Sequence, residues 1–306
     1  MTRPLRNLSA SVEKRLLNRV RQSGEDFQYV LMRYGLERMM YRLSQSDYAD
    51  QFIVKGAMLL PVWTGEQYRP TKDLDLLSTE EESAEELKEV FCDLCTLTLE
   101  EDGLVFLSET VRVVEIREDK VYGGMRVTMQ ARLGKARIPL QIDIGFGDAV
   151  TPEARREDFP TLLDFPAPFL LMYPRESVIA EKYETLVNLG LANSRMKDYY
   201  DIWLLSQQFD FDGELLANAI HATFKRRRTA LPKEVPVGLT PEFVSDAGKL
   251  SQWQAFIRRS RLVSTNFSLE TVVKTIADFI TPPSEAAAES KSFRQIWPKG
   301  GPWQAK

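Results

Sequence analysis

The chain has 306 residues, 43% hydrophobic and 27% charged, a soluble globular profile of one large domain or two ordinary ones. A net charge of −4 and a pI near 5.4 exclude a general nucleic-acid glue but leave room for a local basic groove. No apolar run approaches the roughly 20 residues of a membrane span, and the start, MTRPLRNLSA, has no apolar signal core, so a cytoplasmic protein is expected.

Residues 1–45 are predicted to form N-terminal helices. SASVEKRLLNRVRQSG opens on serine caps and stops at Gly24, and the next segment repeats Phe27, Val30, Leu31, Tyr34, Leu36, Met39 and Met40 at helical spacing. The period then changes, and a core is expected over 46–150. QFIVKG (51–56) reads as a buried strand ending at a glycine. AMLLPVW (57–63) reads as a helix start limited by Pro61, and DLDLLS (73–78) as a second strand. An acidic helix follows from Ser78 through Glu101. It holds the only two cysteines, Cys92 and Cys95; with His221 as the single histidine, a Cys/His zinc site is nearly excluded and ordinary thiols are expected.

TVRVVEIRE (110–118) and GMRVTMQARL (124–133) predict a hairpin around DKVYGG. IPLQIDIGFGD (138–148) alternates, with Ile138, Leu140, Ile142 and Ile144 on one face and Gln141 and Asp143 on the other. The proline-rich 151–174 reads as a connector with one short strand, FLLMY. Helices are predicted over 175–190, 195–208, 213–228, about 240–260 and 268–280, giving a helical domain over 175–281. The end, 282–306, is expected to be a mobile tail, although Phe293, Trp297 and Trp303 are unusual for a plain linker. The fold class is α/β (α+β): a mixed sheet with flanking helices, followed by a helical C-terminal domain.

Three carboxylates stand out. Asp73 and Asp75 share one face of a strand, and Asp143 lies on the polar face of a later one, each bordered by apolar residues. Such anions either meet Lys or Arg neighbours at a strand end or share a divalent cation; Mg²⁺ is the common remedy. The glycine after VK in VKGAMLL offers backbone N–H groups to phosphate. In the helical region, Ile179, Tyr183, Leu186 and Val187 form an apolar stripe with Lys182 beside it, and Asp198 and Asp201 share a helix face. These charges either make exposed ion pairs of little worth with Arg195 and Lys197 or serve the site. The basic runs FKRRR (224–228) and IRRSR (257–261) are candidate contacts for an RNA backbone.

The blocks KGAMLL, RPTKDLDLL, IDIGFGD and EKYETLVNLGLANSRMKDYYDIWLL, spanning about 50 to 208, resemble the AbiEii/AbiGii toxin family of nucleotidyltransferase fold, which includes the MenT-type tRNA nucleotidyltransferase toxins. The resemblance implies a nucleotidyltransferase-like mixed sheet and transfer of a nucleoside monophosphate from an NTP to an RNA, with tRNA the leading acceptor, or to a protein hydroxyl. It implies two Mg²⁺ ions on Asp73, Asp75 and Asp143, the last also a candidate base for the attacking hydroxyl. It places Lys55, Gly56, Ala57, Arg69, Thr71 and Lys182 at the nucleotide, and Asp198 and Asp201 beside Lys182 as catalytic residues. Ala57 departs from the serine or glycine common after this turn, so a hydroxyl to phosphate is missing. The family also implies a partner, commonly a winged-helix antitoxin. Two other readings remain: a metal-dependent nuclease using the same carboxylates, and a catalytically silent module paired with an antitoxin.

Overall fold

The structure, a computed structural model, describes residues 8–65, 69–116, 123–260, 262 and 267–306. Residues 117–122, at the tip of the predicted hairpin, and Arg261 of the second basic run lie outside the described residues. The described residues fall into two compact units, one from residues up to 65, 71–147 and 155–172, the other from 69–70, 148–154 and 173 onward.

The first unit begins with α1 (Leu8–Ser23) and α2 (Phe27–Ser44), the latter capped by Asp26, whose side chain accepts from the Tyr29 N–H. Strand β1 (Phe52–Lys55) passes through a 3₁₀ turn, Gly56–Leu59, into the short α3 (Leu60–Thr64), with Pro61 in its first turn. Strand β2 (Leu74–Ser78) precedes α4 (Ala84–Thr96). That helix is shorter than predicted because Ser83 and Glu86 close a capping box at its start. Then come β3 (Leu104–Ile116), β4 (Gly124–Leu133), β5 (Ala136–Phe146), β6 (Arg155–Asp158) and β7 (Phe169–Met172).

These seven strands form one mixed sheet in the order β3-β4-β5-β2-β1-β7-β6. The β2–β5 and β1–β7 pairs are parallel and the others antiparallel. The segment 151–174, predicted as a connector with one short strand, holds that strand as β7 and a second one, β6, and both belong to the sheet. Its β6–β7 hairpin extends the edge beside β1, and Leu170 and Met172 are buried. Three of the five prolines that read as linker, Pro160, Pro166 and Pro168, fall in the loop between the two strands. Helices α1, α2 and α4 pack against one face of the sheet. Onto it point the buried Val54, Leu76, Val127, Met129, Leu140 and Ile142. Helix α2 approaches so closely that a Cβ on Gly35 would lie 2.8 Å from Leu140 Cδ2.

The second unit holds α5 (Arg175–Leu189), α6 (Met196–Gln208), β8 (Phe211–Asp212), α7 (Gly213–Arg226), α8 (Pro241–Ser245), α9 (Ala247–Arg259), α10 (Leu269–Glu289), β9 (Gln295–Trp297) and β10 (Gln304–Ala305). The predicted helix at 240–260 is two helices, because Asp246 leaves the helical path and caps α9 through the Lys249 N–H. The expected mobile tail is instead folded. Helix α10 continues through Pro282 and Pro283, with Pro283, Ser284, Ala286 and Ala287 buried and the Ser284 hydroxyl 3.0 Å from that of Tyr183. Strand β9 pairs with β8, the Trp297 indole N–H donates to the Ser206 carbonyl at 2.8 Å, and that of Trp303 donates to the Phe279 carbonyl at 2.9 Å. A few aromatic rings supply the burial that the low apolar count concealed. Trp297→Ala is expected to cost about 3 kcal/mol in urea unfolding, whereas the same change in a mobile tail would cost under about 0.5 kcal/mol.

Candidate active site

The first unit presents a row of side chains on the sheet face opposite α1, α2 and α4. Asp75 on β2 and Asp143 on β5 are direct register partners across the parallel pair. Lys55 on β1 stands opposite Asp75, Arg126 on β4 opposite Asp143, and Val114 on β3 opposite Arg126. The row thus reads cation, anion, anion, cation, apolar across five strands. Asp73, one residue ahead of β2, joins it. Oxygens of Asp73, Asp75 and Asp143 all lie within 4.8 Å of one another, and all three residues are half-buried. Thr71 orients Asp73 through its hydroxyl, which donates to Oδ1 at 2.7 Å. Arg126 grips Asp143 bidentately, its Nε and Nη2 donating at 2.8 and 2.7 Å.

Gly56 closes this arrangement. Its φ of +75° lies in the left-handed region, and a Cβ there would sit 2.0 Å from Asp75 Oδ2. Only glycine lets the backbone lie this close to the carboxylate. Ala57 is buried and brings no polar side-chain atom. The donor set of the triad is carboxylate oxygen alone, which fits a hard divalent cation such as Mg²⁺.

The second unit gathers the other charged candidates into one buried cluster. Arg69 donates to both oxygens of Asp201 at 2.6 Å. The Lys182 ammonium lies 2.7 Å from Asp198 and 2.8 Å from Asp201, and Arg195 Nε donates to Asp198 at 2.6 Å. Both aspartates are essentially inaccessible to solvent, so the reading of exposed ion pairs does not hold for them. Burial alone would raise both carboxyls. Lys182 and Arg195 outweigh it at Asp198, and Arg69 and Lys182 at Asp201, so both are held below the ordinary aspartate value. Burial likewise works against the Lys182 ammonium, but Asp198 and Asp201 hold its pKa above the ordinary lysine value.

A family model described as "Nucleotidyl transferase AbiEii toxin, Type IV TA system" matches residues 38–283. The chain belongs to this family. No curated protein sequence matches it significantly. Two crystal structures from Helicobacter pylori are similar at 13% identity. One, provisionally titled a nucleotidyltransferase, has a TM-score of 0.43 over 83% of this chain and 93% of its own. The other, JHP933, has a TM-score of 0.45 over 83% and 90%. As an AbiEii member the chain is a nucleotidyl transferase of a toxin–antitoxin system, and the family implies a nucleotide substrate and an antitoxin partner.

Asp73, Asp75, Asp143, Lys55, Gly56 and Thr71 thus belong to one constellation in the first unit, and Arg69, Lys182, Asp198 and Asp201 to another in the second. Arg69 and Thr71, both expected at the nucleotide, hydrogen-bond to different aspartates, Asp201 and Asp73. Sequence reasoning missed Arg126 as a site residue, and named Arg195 only as an exposed ion-pair partner. A signal for Arg126 existed: the two-residue turn at Gly134–Lys135 sets the register of the β4–β5 hairpin, and counting back from it brings Arg126 opposite Asp143.

Gly56→Ala is expected to leave the fold intact by circular dichroism while weakening Mg–NTP binding at least about tenfold by calorimetry, since the new methyl displaces the Asp75 carboxylate. For the buried cluster, both aspartate pKa values lie below the unfolded value of about 3.9. Their stabilising effect is therefore complete above pH 4 and is lost as the pH falls below it. Asp201→Asn is expected to cost about 3 kcal/mol at pH 7 by stranding buried cations and to flatten the decline below pH 4, as read from urea midpoints between pH 7 and pH 3.

Proposed function

We propose that this chain is a Mg²⁺-dependent toxin that transfers a nucleoside monophosphate from an NTP to the terminal hydroxyl of an RNA in the cytoplasm, tRNA being the leading acceptor. The observation that carries the reading is the convergence of Asp73, Asp75 and Asp143 on one sheet face within 4.8 Å, beside a glycine turn that leaves no room for a side chain. Asp73, Asp75 and Asp143 would hold the Mg²⁺, which would supply Lewis-acid stabilisation of the negative charge on the reacting phosphate.

The protein's own groups do the positioning. Thr71 holds Asp73 in place, and the two hydrogen bonds from Arg126 fix the orientation of the Asp143 carboxylate. So oriented, Asp143 accepts the proton of the attacking hydroxyl or serves as third ligand. The Gly56 turn brings backbone to the triphosphate. In the second unit, Arg69, Lys182 and Arg195 set three cations against the two carboxylates of Asp198 and Asp201. The excess positive charge suits Lys182 to a phosphate group. The antitoxin expected of the family, a winged-helix protein, completes the system.

Asp75→Ala is expected to abolish transfer of label from NTP to RNA, with an unchanged circular dichroism spectrum. Retained transfer would remove the carboxylate mechanism. RNA that becomes shorter without any NTP would assign the triad to a nuclease instead.

A further inference from the structure

The sheet face that carries the triad does not end at Arg126. Beyond it, β3, β4 and β5 are open on the side away from the helices. The register puts Val105, Leu107, Arg112 and Val114 of β3 on this side, with Arg126, Thr128, Gln130 and Arg132 of β4 and Arg137, Pro139, Gln141 and Asp143 of β5. Arg112, Gln130, Arg132, Arg137 and Pro139 are exposed, and Val105 and Val114 are 59% and 55% exposed. Among these register-paired residues four are arginines and one, Asp143, is acidic, in a protein whose net charge is −4.

Two of the arginines are placed at a cost. Arg132 and Arg137 are direct cross-strand partners in the ladder, and like charges directly opposite are unfavourable. Neither makes an ion pair or a side-chain hydrogen bond with a described residue. Arg112 spends one nitrogen on the Glu109 and Val111 carbonyls and meets no carboxylate among the described residues. A polyanion laid along the face relieves this repulsion.

We propose that the open face of β3, β4 and β5 is the track on which the sugar–phosphate backbone of the acceptor strand lies, leading its end to Asp143. From Arg126 to Arg132 the track is about 20 Å long at roughly 3.4 Å per residue. Arg112, beside Thr128, fills the interval between its two ends. Val105, Val114 and Pro139 are suited to ribose, while Thr128, Gln130 and Gln141 offer neutral hydrogen bonds. Among the described residues the face presents no aromatic ring for base stacking, so it grips phosphate and sugar with little sequence preference. The basic run FKRRR is a poorer candidate. Phe224 is buried, and Arg227 is committed internally to Asp148, Glu181 and Glu184.

This inference rests on the transferase reading for the meaning of "acceptor", but its test does not require catalysis. A labelled single-stranded RNA oligonucleotide is titrated with the full chain, with Arg132→Gln/Arg137→Gln, with Arg112→Gln and with Lys225→Gln/Arg228→Gln, at several salt concentrations. The arginine pair sits on an exposed surface, so the double variant is expected to melt no lower than the parent. Its RNA affinity is expected to fall about tenfold or more, with the log–log salt slope shallower by about 1.4 for two lost phosphate contacts. Arg112→Gln is expected to show about half of that slope change, while Lys225→Gln/Arg228→Gln binds RNA like the parent. Mg–NTP affinity is expected to be unchanged in all three, and the KM for RNA to rise in the sheet variants.

Unchanged RNA affinity and salt slope in Arg132→Gln/Arg137→Gln overturns the track, even where the parent transfers nucleotide normally. So does a loss of RNA binding confined to Lys225→Gln/Arg228→Gln. A sheet variant that loses only an antitoxin protein, and not RNA, assigns the face to that protein and overturns the proposal as well. If the parent transfers no nucleotide while the double variant still loses RNA, the track stands and the transferase reading fails.

Discussion

Two carboxylates stand level on neighbouring parallel strands, and a third joins them from the residue just ahead of one strand. Placed together on a half-buried face, they repel unless cations are interleaved. Much else in the first unit answers that constraint. Lys55 and Arg126 flank the aspartates across the sheet, the Arg126 fork takes both oxygens of Asp143, and Thr71 satisfies Asp73. The side chain missing at Gly56 leaves room for Asp75. The sheet edge beyond Arg126 then carries positive charge outward, so local basicity arises within an acidic protein.

The second unit solves a similar problem by burial. Asp198 and Asp201 lie one helical turn apart on α6 and are shared by Arg69, Lys182 and Arg195, drawn from three different segments. Desolvation would neutralise such carboxyls if they were unaccompanied; three cations keep them ionised. The same logic governs Arg227, which gathers Asp148, Glu181 and Glu184 in that unit.

Much of this was legible in the residues. Alternation in IPLQIDIGF placed Asp143 on the polar face, spacing in α6 placed Asp198 with Asp201, and the glycine turn before DLDLL was visible as a break in period. What escaped depends on distance along the chain. The parallel pairing of β2 with β5 joins strands separated by a helix and a hairpin, and nothing local announces it. The pairing of β7 with β1 was hidden by prolines that punctuate a loop and do not end the fold. The C-terminal residues looked like a linker because their burial comes from a few indole and phenyl rings; hydrophobic averages do not see such contacts.

The level pairing of Asp75 with Asp143 also sets an order of events. During synthesis the ribosome delivers Asp73 and Asp75 well before β5 exists, and a fragment ending ahead of Asp143 lacks both the third acid and the part of β5 that pairs with β2 beside it. The cluster of three acids therefore comes into being only when β5 has docked beside β2, so its formation reports closure of the central sheet.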